Sequence, residues 1–389
     1  MLTRYDVSIL GGGIVGRTLA LLLARERLRV ALVERPPLPT AAPDIRAYAL
    51  NAASRALLHG VRAWPDEPTA ATPVQCMWVA DAAPGATAAC APQASLRFDP
   101  DDGQPLAWIV DVPALEASLD RALRYQPGVE RLDATQHPRP SAALTVICEG
   151  RHSASRAAEG FGYERQPYPH TAVAARLRTE RPHGGVARQW FCGDSILALL
   201  PMDGPEGHLV ALVWSVPHER AAALLALSAP AFAAAVAAAC DHALGSMQTE
   251  GQPAGWPLER SLARPWVRPG LALAGDAAHA MHPLAGQGLN VGLGDVAELA
   301  RVLREREYWR ELGDLRLLRR YERARAAPVA AMLAATDALH ALFAASDARV
   351  AALRRWGLRA VDRLEPLKHW FIEQAAGVAS NRAHPSPVL

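Results

Sequence analysis

The sequence predicts an α/β fold with a Rossmann-like unit, a separate antiparallel sheet and a helical C-terminal region. Residues 5–35 have the pattern of a strand, a glycine-rich turn, a helix and a second strand. Residues 165–216 contain successive strand-like runs without a long helix between them, which is typical of an antiparallel sheet. Residues 301–389 show the spacing of helices almost throughout.

Bulk composition sets the broad class of the protein. The chain has 389 residues and a formal net charge of +2, from 41 basic and 39 acidic side chains. This balance gives no electrostatic reason to expect nucleic acid as a partner. The five cysteines are scattered and never form a Cys-x-x-Cys pair, so we expect reduced thiols in a cytoplasmic protein. The N-terminal residues lack the pattern of a signal peptide, and we expect none.

The stretch 5–35 carries the first binding motif. An apolar strand leads into Gly11-x-Gly13-x-x-Gly16, a helix follows, and the second strand ends on Glu34. Gly11 permits the turn, Gly13 lets the backbone approach a pyrophosphate, and Gly16 lets the helix pack close to the strand. The helix N-terminus offers N–H groups to phosphates, and Glu34 is placed to accept hydrogen bonds from a ribose. The alternative is a glycine-rich turn in an ordinary βαβ unit.

The middle of the chain gives weaker signals. Arg46 precedes a predicted helix whose apolar spacing includes Ala49, Ala53, Leu57 and Leu58. Further strands are predicted within residues 74–81, 107–111, 144–150, 256–266 and 270–275.

The alanine-rich stretch 221–240 is long enough to suggest a membrane span. Pro230 interrupts it, and charged or polar residues flank it on both sides. We therefore expect two short helices that meet at residues 228–230.

Residues 275–295, GDAAHAMHPLAGQGLNVGLGD, form the second motif. Asp276 follows an apolar strand, at the edge where ligands of α/β sheets bind. A glycine-rich loop then leads to a helix that begins near Leu289. The exposed backbone of the loop can lie against a large planar ring, and the positive N-terminal end of the helix is directed back toward that ring. The alternative is a metal site on His279 and His282, but no third ligand with fitting spacing appears nearby. A packed or hydrogen-bonded histidine is the simpler interpretation of each.

Together these motifs resemble a known family. The glycine motif with Glu34, the 275–295 stretch and residues 321–343 are similar to the FAD-dependent aromatic hydroxylases of ubiquinone biosynthesis. These enzymes are a branch of the single-component flavoprotein monooxygenases, and residues 188–202 resemble their substrate-side sheet. The resemblance implies a Rossmann-like FAD-binding domain of the p-hydroxybenzoate hydroxylase type, an antiparallel-sheet substrate domain and a helical C-terminus.

The resemblance also implies where the cofactor binds. The residues expected to hold FAD are Gly11, Gly13, Ile14, Gly16, Glu34, Arg35, Arg46, Asp276, Pro283, Gly286, Gln287, Gly288, Leu289 and Asn290. In the family's pattern Asp276 binds the ribityl or pyrophosphate portion, and the segment from Pro283 to Asn290 passes beside the isoalloxazine ring. The reductant is NADH or NADPH, and no metal is expected.

The implied activity is hydroxylation of the aromatic ring of a ubiquinone precursor, a prenylated phenol, through a flavin hydroperoxide formed with NAD(P)H and O2. The protein must mainly exclude water and stabilise the reduced flavin. His279, His282 and His170 are candidates for a base that deprotonates the phenol. Two alternatives stay open. One is a flavin-binding accessory protein with weak catalysis, and the other is a related FAD enzyme, such as an isoprenoid reductase or a hydroxylase of another phenolic substrate.

The expected partners follow from this substrate. Prenylated quinone precursors reside in the bilayer, so we expect a cytoplasmic protein with peripheral contact to the inner membrane. Other ubiquinone-biosynthesis proteins and a second copy of the chain, as a homodimer, are further candidate partners. The predicted helix 347–371 carries six basic residues among leucine and tryptophan, which is typical of a helix on an anionic surface. A solvated face over an ordinary packed helix is the alternative.

Three features depart from the family's pattern. Glu149 stands where the family has an aspartate before glycine. One extra methylene moves the carboxylate by about 1.5 Å, which predicts an altered nicotinamide contact. Val112 replaces a polar residue at the start of a helix and removes an expected flavin contact. The segment 120–145 is short, and we expect residues 131–144 to form a loop.

These expectations divide the chain into four parts. Residues 1–160 form the first FAD-binding part, within which 63–108 contributes to the substrate side. Residues 161–262 form the mostly antiparallel substrate domain, 263–300 the second FAD-binding part, and 301–389 the helical C-terminal region.

Overall fold

The structure is a computed structural model that describes residues 5–35, 44–82, 92–100, 103–281 and 288–344. Three sheets, of six, eight and three strands, organise these residues. Their arrangement confirms the α/β fold class that the sequence predicts.

The six-stranded sheet is the Rossmann-like layer. Its strands, in spatial order, are β15 (Val267–Arg268), β16 (Leu271–Leu273), β9 (Ala142–Ile147), β1 (Tyr5–Leu10), β2 (Val30–Glu34) and β8 (Val129–Asp133). All neighbours pair in parallel except β15 and β16. β1 and β2 are almost continuously apolar and buried, as expected for parallel strands covered on both faces.

Three helices complete this layer. They are α1 (Ile14–Arg25), α3 (Val112–Arg124) and α7 (Gly288–Arg304), and α1 packs against both of the others. Leu19 and Leu23 of α1 are completely buried, because the apolar stripe of this helix faces the sheet and the neighbouring helices.

β8 corrects the loop expected at residues 131–144. It pairs with β2, and Leu132 lies beside Val33. β8 is a polar edge strand, so it lacks the apolar periodicity by which a strand is recognised in a sequence. The open backbone edge of β2 supplies its hydrogen bonds instead. Because β9 begins at Ala142, the loop is confined to residues 134–141.

The three-stranded sheet has the order β3 (Ala47–Leu50), β7 (Ala107–Asp111) and β4 (Ala71–Val74), and both pairs are antiparallel. The helix expected around Ala49 is shorter than predicted, because Ala49 pairs with Ile109 in β3. Helix α2 (Ala52–Gly60) begins after Asn51, whose side chain accepts a hydrogen bond from the Ser54 amide at 2.9 Å. Pairing with the apolar β7 outweighs the helical spacing.

The eight-stranded sheet confirms the expected antiparallel layer. Its strands, in spatial order, are β17 (His279–Ala280), β14 (Met247–Arg264), β10 (Gly162–Thr179), β13 (Leu209–Pro217), β12 (Ser195–Met202), β11 (Val186–Cys192), β5 (Cys76–Ala82) and β6 (Pro92–Phe98). Only β11 and β5 pair in parallel. We propose that this sheet, with β5 and β6 from residues 63–108, is the core of the substrate domain.

The two faces of this sheet differ. Helices α5 (His218–Leu225) and α6 (Ala229–Ala239) cover one face, where Leu197, Leu199 and Phe232 are almost fully buried. Alternate residues on the other face are apolar and half-buried. We call four of them, Ile196, Ala198, Leu200 and Val213, the apolar wall.

Helices α5 and α6 account for the alanine-rich stretch 221–240 and confirm the two short helices expected from the sequence. They meet at residues 226–228, two residues before the expected 228–230, because Pro230 lies inside the first turn of α6. Ser228 is the N-cap residue of α6, and Pro230 lies in its first turn, where proline is tolerated. Within the ranges that the structure describes, no helix has both the length and the apolar character needed to cross a membrane.

Helix α8 (Leu315–Ala344) packs on the six-stranded sheet. The Tyr321 hydroxyl donates to the Leu273 carbonyl oxygen at 2.8 Å, and Glu322 accepts a hydrogen bond from the Trp266 amide at 2.6 Å. The predicted helix 347–371 lies outside the described residues.

A short helix, α4 (Ala154–Ala158), follows β9.

The cysteines differ in state. Cys76, Cys148 and Cys240 are buried free thiols. Cys192 is disulfide-bonded, so the expectation of reduced thiols is wrong for this residue. Spacing along a sequence does not reveal which residues the fold brings together.

Candidate functional site

The turn between β1 and α1 is fixed by close backbone packing. Gly11 has a φ of +119°, and a Cβ there would lie 2.5 Å from the carbonyl oxygen of Cys148. A Cβ on Gly16 would overlap the carbonyl oxygen of Gly11. Both positions therefore require glycine for reasons internal to the protein.

Gly13 differs from these two glycines, because no atom of the described residues lies within 4 Å of where its Cβ would be. It is the N-cap residue of α1, and its side chain cannot cap the helix. The first N–H groups of α1 therefore have no side-chain cap, which suits the binding of a phosphate group. Ile14, the first residue of α1, is buried in the core.

Glu34 ends β2 beside the turn, and two arginines hold its carboxylate. Arg17 Nη2 donates at 3.0 Å and Arg131 Nε at 2.7 Å. An ionised carboxylate has about four acceptor positions, so hydrogen bonds from a ribose hydroxyl remain compatible with both arginines. Arg35, the next residue, is exposed.

Asp276 lies on the other side of the same sheet edge, in a short 3₁₀ turn (Gly275–Ala277) directly after β16. Its side chain is 44% exposed, and Arg151 Nη2 lies 4.0 Å from its carboxylate. Desolvation of the carboxylate by the surrounding protein raises the pKa of Asp276, and the positive charges of Arg151 and Arg46 oppose this rise. A carboxyl of this kind can accept or share a hydrogen bond with a hydroxyl ligand.

Arg46 and Tyr48 belong to the same cluster. Arg46 Nε donates to Asp44 Oδ1 at 2.9 Å, and Arg46 Nη1 donates to the Tyr48 hydroxyl at 3.3 Å. The hydrogen bond to Asp44 raises the pKa of Arg46, which keeps its charge. Burial raises the pKa of Tyr48, and the nearby charge of Asp276 adds to this effect. We call Arg46, Tyr48, Arg151 and Asp276 the Asp276 cluster.

Two side chains of β10 connect the eight-stranded sheet to this region, one to Asp276 itself and one to the loop before β3. The Tyr163 hydroxyl donates to the Asp276 carbonyl oxygen at 3.2 Å. Arg176 donates to the Asp44 carbonyl oxygen at 3.2 Å and forms an ion pair with Asp111. β10 is thus held against the Asp276 turn by Tyr163, and the face that carries the apolar wall is held against the loop before β3 by Arg176.

Glu149 is built into its own loop. Its carboxylate accepts hydrogen bonds from Ser153 Oγ at 2.7 Å, the Ser155 amide at 3.0 Å and Ser155 Oγ at 2.9 Å. The buried Arg156 then joins this loop to the Asp276 turn by donating to the Ala277 carbonyl oxygen at 3.1 Å. The longer side chain therefore has a set of partners within the protein, and the altered nicotinamide contact stays a prediction.

Only part of the second motif can be placed. His282, Pro283, Gly286 and Gln287 lie outside the described residues. Gly288 begins α7, and Leu289 follows it into the core. Asn290 Oδ1 accepts hydrogen bonds from the Asn51 amide at 3.0 Å and Ser54 Oγ at 2.7 Å. Its side chain thus attaches the first turn of α7 to α2.

The remaining histidine candidates have partners within the protein. His279 Nε2 lies 2.6 Å from Asp295 Oδ2, and both side chains are almost wholly buried. His170 Nε2 lies 2.7 Å from the Asp194 carbonyl oxygen, in the turn between β11 and β12. Within the part of the chain that the structure describes, no three His, Cys, Asp or Glu side chains are grouped to hold a metal ion.

Val112 is the first residue of α3 and is completely buried. Its neighbour Asp111 caps the helix by accepting a hydrogen bond from the Ala114 amide at 3.3 Å. The position at which the family's pattern has a polar residue is therefore a core position here.

Sequence reasoning missed several polar residues around these clusters. They are Arg17, Tyr48, Arg131, Tyr163 and Arg176. Arg176 could have been found, since it interrupts the apolar run TAVAARLRTE, where a charge on an inward face requires a partner. Arg131 could not, because it lies in the segment taken for a loop.

Comparison with known proteins finds relatives along the whole chain. A family model described as "FAD binding domain" matches residues 123–336. The ubiquinone hydroxylase UbiL of Rhodospirillum rubrum is 33% identical over 406 residues, which cover 99% of this chain and 92% of that protein. The 3-demethoxyubiquinol 3-hydroxylase of Escherichia coli is 29% identical over 407 residues, covering 96% and 98% of the two chains.

Solved structures agree with the fold. The p-nitrophenol 4-monooxygenase PnpA of Pseudomonas putida superposes with a TM-score of 0.73, covering 97% of this chain and 99% of that one. The sequence identity is 18%, so this similarity shows the fold alone.

Proposed function

Because the chain belongs to the FAD-dependent hydroxylases of ubiquinone biosynthesis, we propose that it hydroxylates the aromatic ring of a ubiquinone precursor, using NAD(P)H and O2. When bound, FAD supplies the redox chemistry, which is hydride uptake from the nicotinamide and activation of O2. The protein's own residues bind, orient and shield the reacting groups.

The β1–α1 turn is the proposed pyrophosphate site. The open N–H groups of α1 around Gly13 bind the phosphates, and Gly11 and Gly16 hold the turn in the required shape. Glu34, oriented by Arg17 and Arg131, accepts hydrogen bonds from the adenosine ribose. Arg35 is exposed beside Glu34 and is also proposed to contact the adenosine end of FAD.

The Asp276 cluster is the proposed site of the ribityl chain. The carboxyl of Asp276 suits ribityl hydroxyls, and Arg46 and Arg151 supply positive charge for the pyrophosphate or the reduced cofactor. The beginning of α7 packs on the Asp276 turn, since a Cβ on Gly292 would lie 3.3 Å from Gly275 Cα, and the positive end of the helix dipole favours negative charge near it. Pro283, Gly286 and Gln287 remain proposed contacts.

One observation carries the substrate proposal. Arg176 lies on the same face of the eight-stranded sheet as the apolar wall, since it pairs with Ala211, and it donates to the Asp44 carbonyl oxygen in the loop that carries Arg46. An aromatic ring and the first part of a prenyl tail bury apolar surface against such a wall. The wall residues offer no side-chain hydrogen bond to water, so water is poorly held beside the reacting atoms once a substrate covers them.

The first test is an absorbance experiment on the purified protein. Oxidised-flavin bands that bleach on anaerobic addition of NADH or NADPH and return with O2 are expected. A prenylated phenol should then gain one oxygen atom from ¹⁸O2, measured by mass spectrometry, with about one NAD(P)H consumed per product.

The other outcomes separate the alternatives. Bands that persist unbleached with and without the phenol would favour the accessory protein. Bleaching with hydroxylation of only unprenylated phenols would favour a hydroxylase of another phenolic substrate, and reduction of an isoprenoid double bond would favour the reductase. Absence of bands after incubation with FAD would contradict the proposal at its foundation.

A prenylated substrate makes peripheral contact with a membrane part of the same proposal. Association with other proteins of the pathway and with a second copy of the chain belongs to it as well. Flotation with anionic vesicles tests the membrane contact, and binding that is lost at high salt is the expected result.

A further inference from the structure

A buried polar cluster lies directly behind the Asp276 turn. Asp295, on α7, is completely buried and accepts three hydrogen bonds. The donors are the Gly275 amide at 3.0 Å, His279 Nε2 at 2.6 Å and Arg325 Nε at 2.8 Å. We call Asp295, His279 and Arg325 the Asp295 cluster. The proposed reaction gives none of these side chains a role.

The cluster is electrostatically satisfied. Burial alone raises the pKa of Asp295, but the neighbouring His279 ring and the Arg325 guanidinium outweigh burial and hold the pKa below its usual range. A buried carboxylate with three donors is a strong and directional acceptor. Removing one donor leaves part of a buried charge without compensation.

The cluster joins three elements of the fold. Asp295 accepts a hydrogen bond from the amide of Gly275, the residue directly before Asp276. Gly275 has a φ of +63°, so the backbone turns at this residue. Arg325, on α8, also donates through Nη2 to the Val291 carbonyl oxygen in the first turn of α7, at 3.0 Å. The Asp276 turn, the N-terminal turn of α7 and α8 are therefore tied together through one carboxylate and one guanidinium.

We propose that the Asp295 cluster is a positioning device for the cofactor. It sets the distance and angle between Asp276 and the N-terminus of α7, which are the two groups proposed to flank the flavin. Its side chains lie behind these groups, so they are positioning residues and not catalytic ones. This inference rests on FAD binding and is independent of which aromatic substrate is hydroxylated.

The test compares His279→Leu, His279→Gln and His183→Leu in the full chain. Leucine removes the donor to Asp295, whereas the glutamine amide nitrogen can restore it. His183 is the matched control, because it is equally buried and binds the Met202 carbonyl oxygen at 2.7 Å, but it lies in the loop before β11. The measurements, all without substrate, are the Kd for FAD, the visible spectrum and the midpoint potential of the bound flavin.

We expect His279→Leu to weaken FAD binding about ten-fold and to change the flavin potential, and His279→Gln to recover most of both. His183→Leu should lower the unfolding temperature while the Kd and potential stay at wild-type values. If His279→Leu does not fold, Arg325→Lys gives the same comparison, since lysine keeps the charge and loses the two-pronged contact.

Wild-type Kd and potential in a folded His279→Leu or Arg325→Lys variant would overturn the inference. Equal changes in the His279→Leu and His183→Leu variants would also overturn it, because the effect would then be general loss of stability. A wild-type protein that binds FAD normally but hydroxylates no prenylated phenol would contradict the proposed function and leave this inference standing.

Discussion

The β1–α1 turn and the apolar wall are both proposed to contact the reacting molecules, but the protein specifies them in different ways. In the turn, individual positions are fixed by backbone geometry, as Gly11 and Gly16 show. In the wall, the alternation of a strand fixes which residues share the face, and Ala198 and Val213 are half-buried apolar residues there. From this comparison we expect cofactor binding to depend on the identity of single residues, and substrate binding on the shape and polarity of a surface.

The strongest way to sharpen this comparison is Gly16→Val. The added side chain would overlap the Gly11 carbonyl oxygen, so α1 must move away from β1. We expect the free energy of unfolding of the FAD-free protein to fall by about 3 kcal/mol or more, or the protein to fail to fold. Urea unfolding followed by circular dichroism measures this, and wild-type stability would contradict the packing described for the turn.

Gly13→Glu should affect the ligand and spare the fold. Its Cβ meets no described atom within 4 Å, while its carboxylate would repel a pyrophosphate. We expect FAD binding to weaken about 100-fold, or about 2.8 kcal/mol. The unfolding temperature of the FAD-free protein should change by about 2 °C or less. Gly13→Ala, which adds little volume and no charge, is the control, and full flavin content in Gly13→Glu would refute the pyrophosphate assignment.

Asp276→Ala tests the other end of the cofactor site. Loss of hydrogen bonds to ribityl hydroxyls should weaken FAD binding about ten-fold. Asp241→Ala is a suitable control, since Asp241 is an exposed aspartate after α6. Isothermal titration of the FAD-free proteins gives both constants, and equal affinity in the wild type and Asp276→Ala would remove Asp276 from the site.

Ala198→Phe tests the wall. The added ring would occupy the space proposed for the substrate, so we expect a several-fold increase in KM for the phenol and more NAD(P)H oxidation without product. The Kd for FAD should stay unchanged. Leu199→Met, on the opposite and buried face of β12, is the control and should change neither KM nor coupling. An unchanged KM in Ala198→Phe would move the substrate away from the wall.

The smallest expected effect concerns pH. The pKa of Asp276 is raised above 3.8 in the folded protein, so the folded state binds more protons than the unfolded state just above this pH. Stability from this residue is therefore lost as pH rises through the window between the two pKa values. Urea unfolding of the FAD-free protein between about pH 4 and 7 should show Asp276→Asn gaining stability relative to the wild type.

Asp44→Asn provides the opposite sign. Burial raises the pKa of Asp44, but its hydrogen bonds to Arg46 outweigh this and lower it overall, so its stabilising effect is present above pH 3.8. This variant should lose stability relative to the wild type as pH rises toward 3.8, and the difference should be constant between about pH 4 and 7. The same pH dependence in both variants would contradict the different environments described for the two carboxyls.

The sequence predicted the parts of the fold in which local pattern and global structure agree. The β1–α1–β2 unit and the alternating strands follow from glycine spacing and from periodicity. β8 was missed because it is a polar edge strand that depends on β2 for its hydrogen bonds. Ala49 was predicted to lie in a helix because of its helical spacing, but it lies in β3, where pairing with β7 determines its conformation.

The candidate site follows the same division. Motifs located Gly13, Glu34 and Asp276, because their roles depend on positions close in sequence. The partners of these residues are distant in sequence, as Arg131 is from Glu34 and Tyr163 from Asp276. No local pattern encodes such pairs, so the role of His279 as a buried partner of Asp295 became visible only in the fold.

The order of strands in the six-stranded sheet has a consequence for synthesis of the protein. β9 ends at Ile147, yet its outer neighbour β16 is not translated until residues 271–273. At about 5–20 residues per second, the edge of β9 stays open on the ribosome for roughly ten seconds. During this interval strands β10 to β14 of the eight-stranded sheet are translated, and the nascent chain carries an unpaired apolar edge that invites aggregation. Asp276 is itself translated after this interval, so FAD binding at the proposed site would follow the stage at which the β9 edge is exposed.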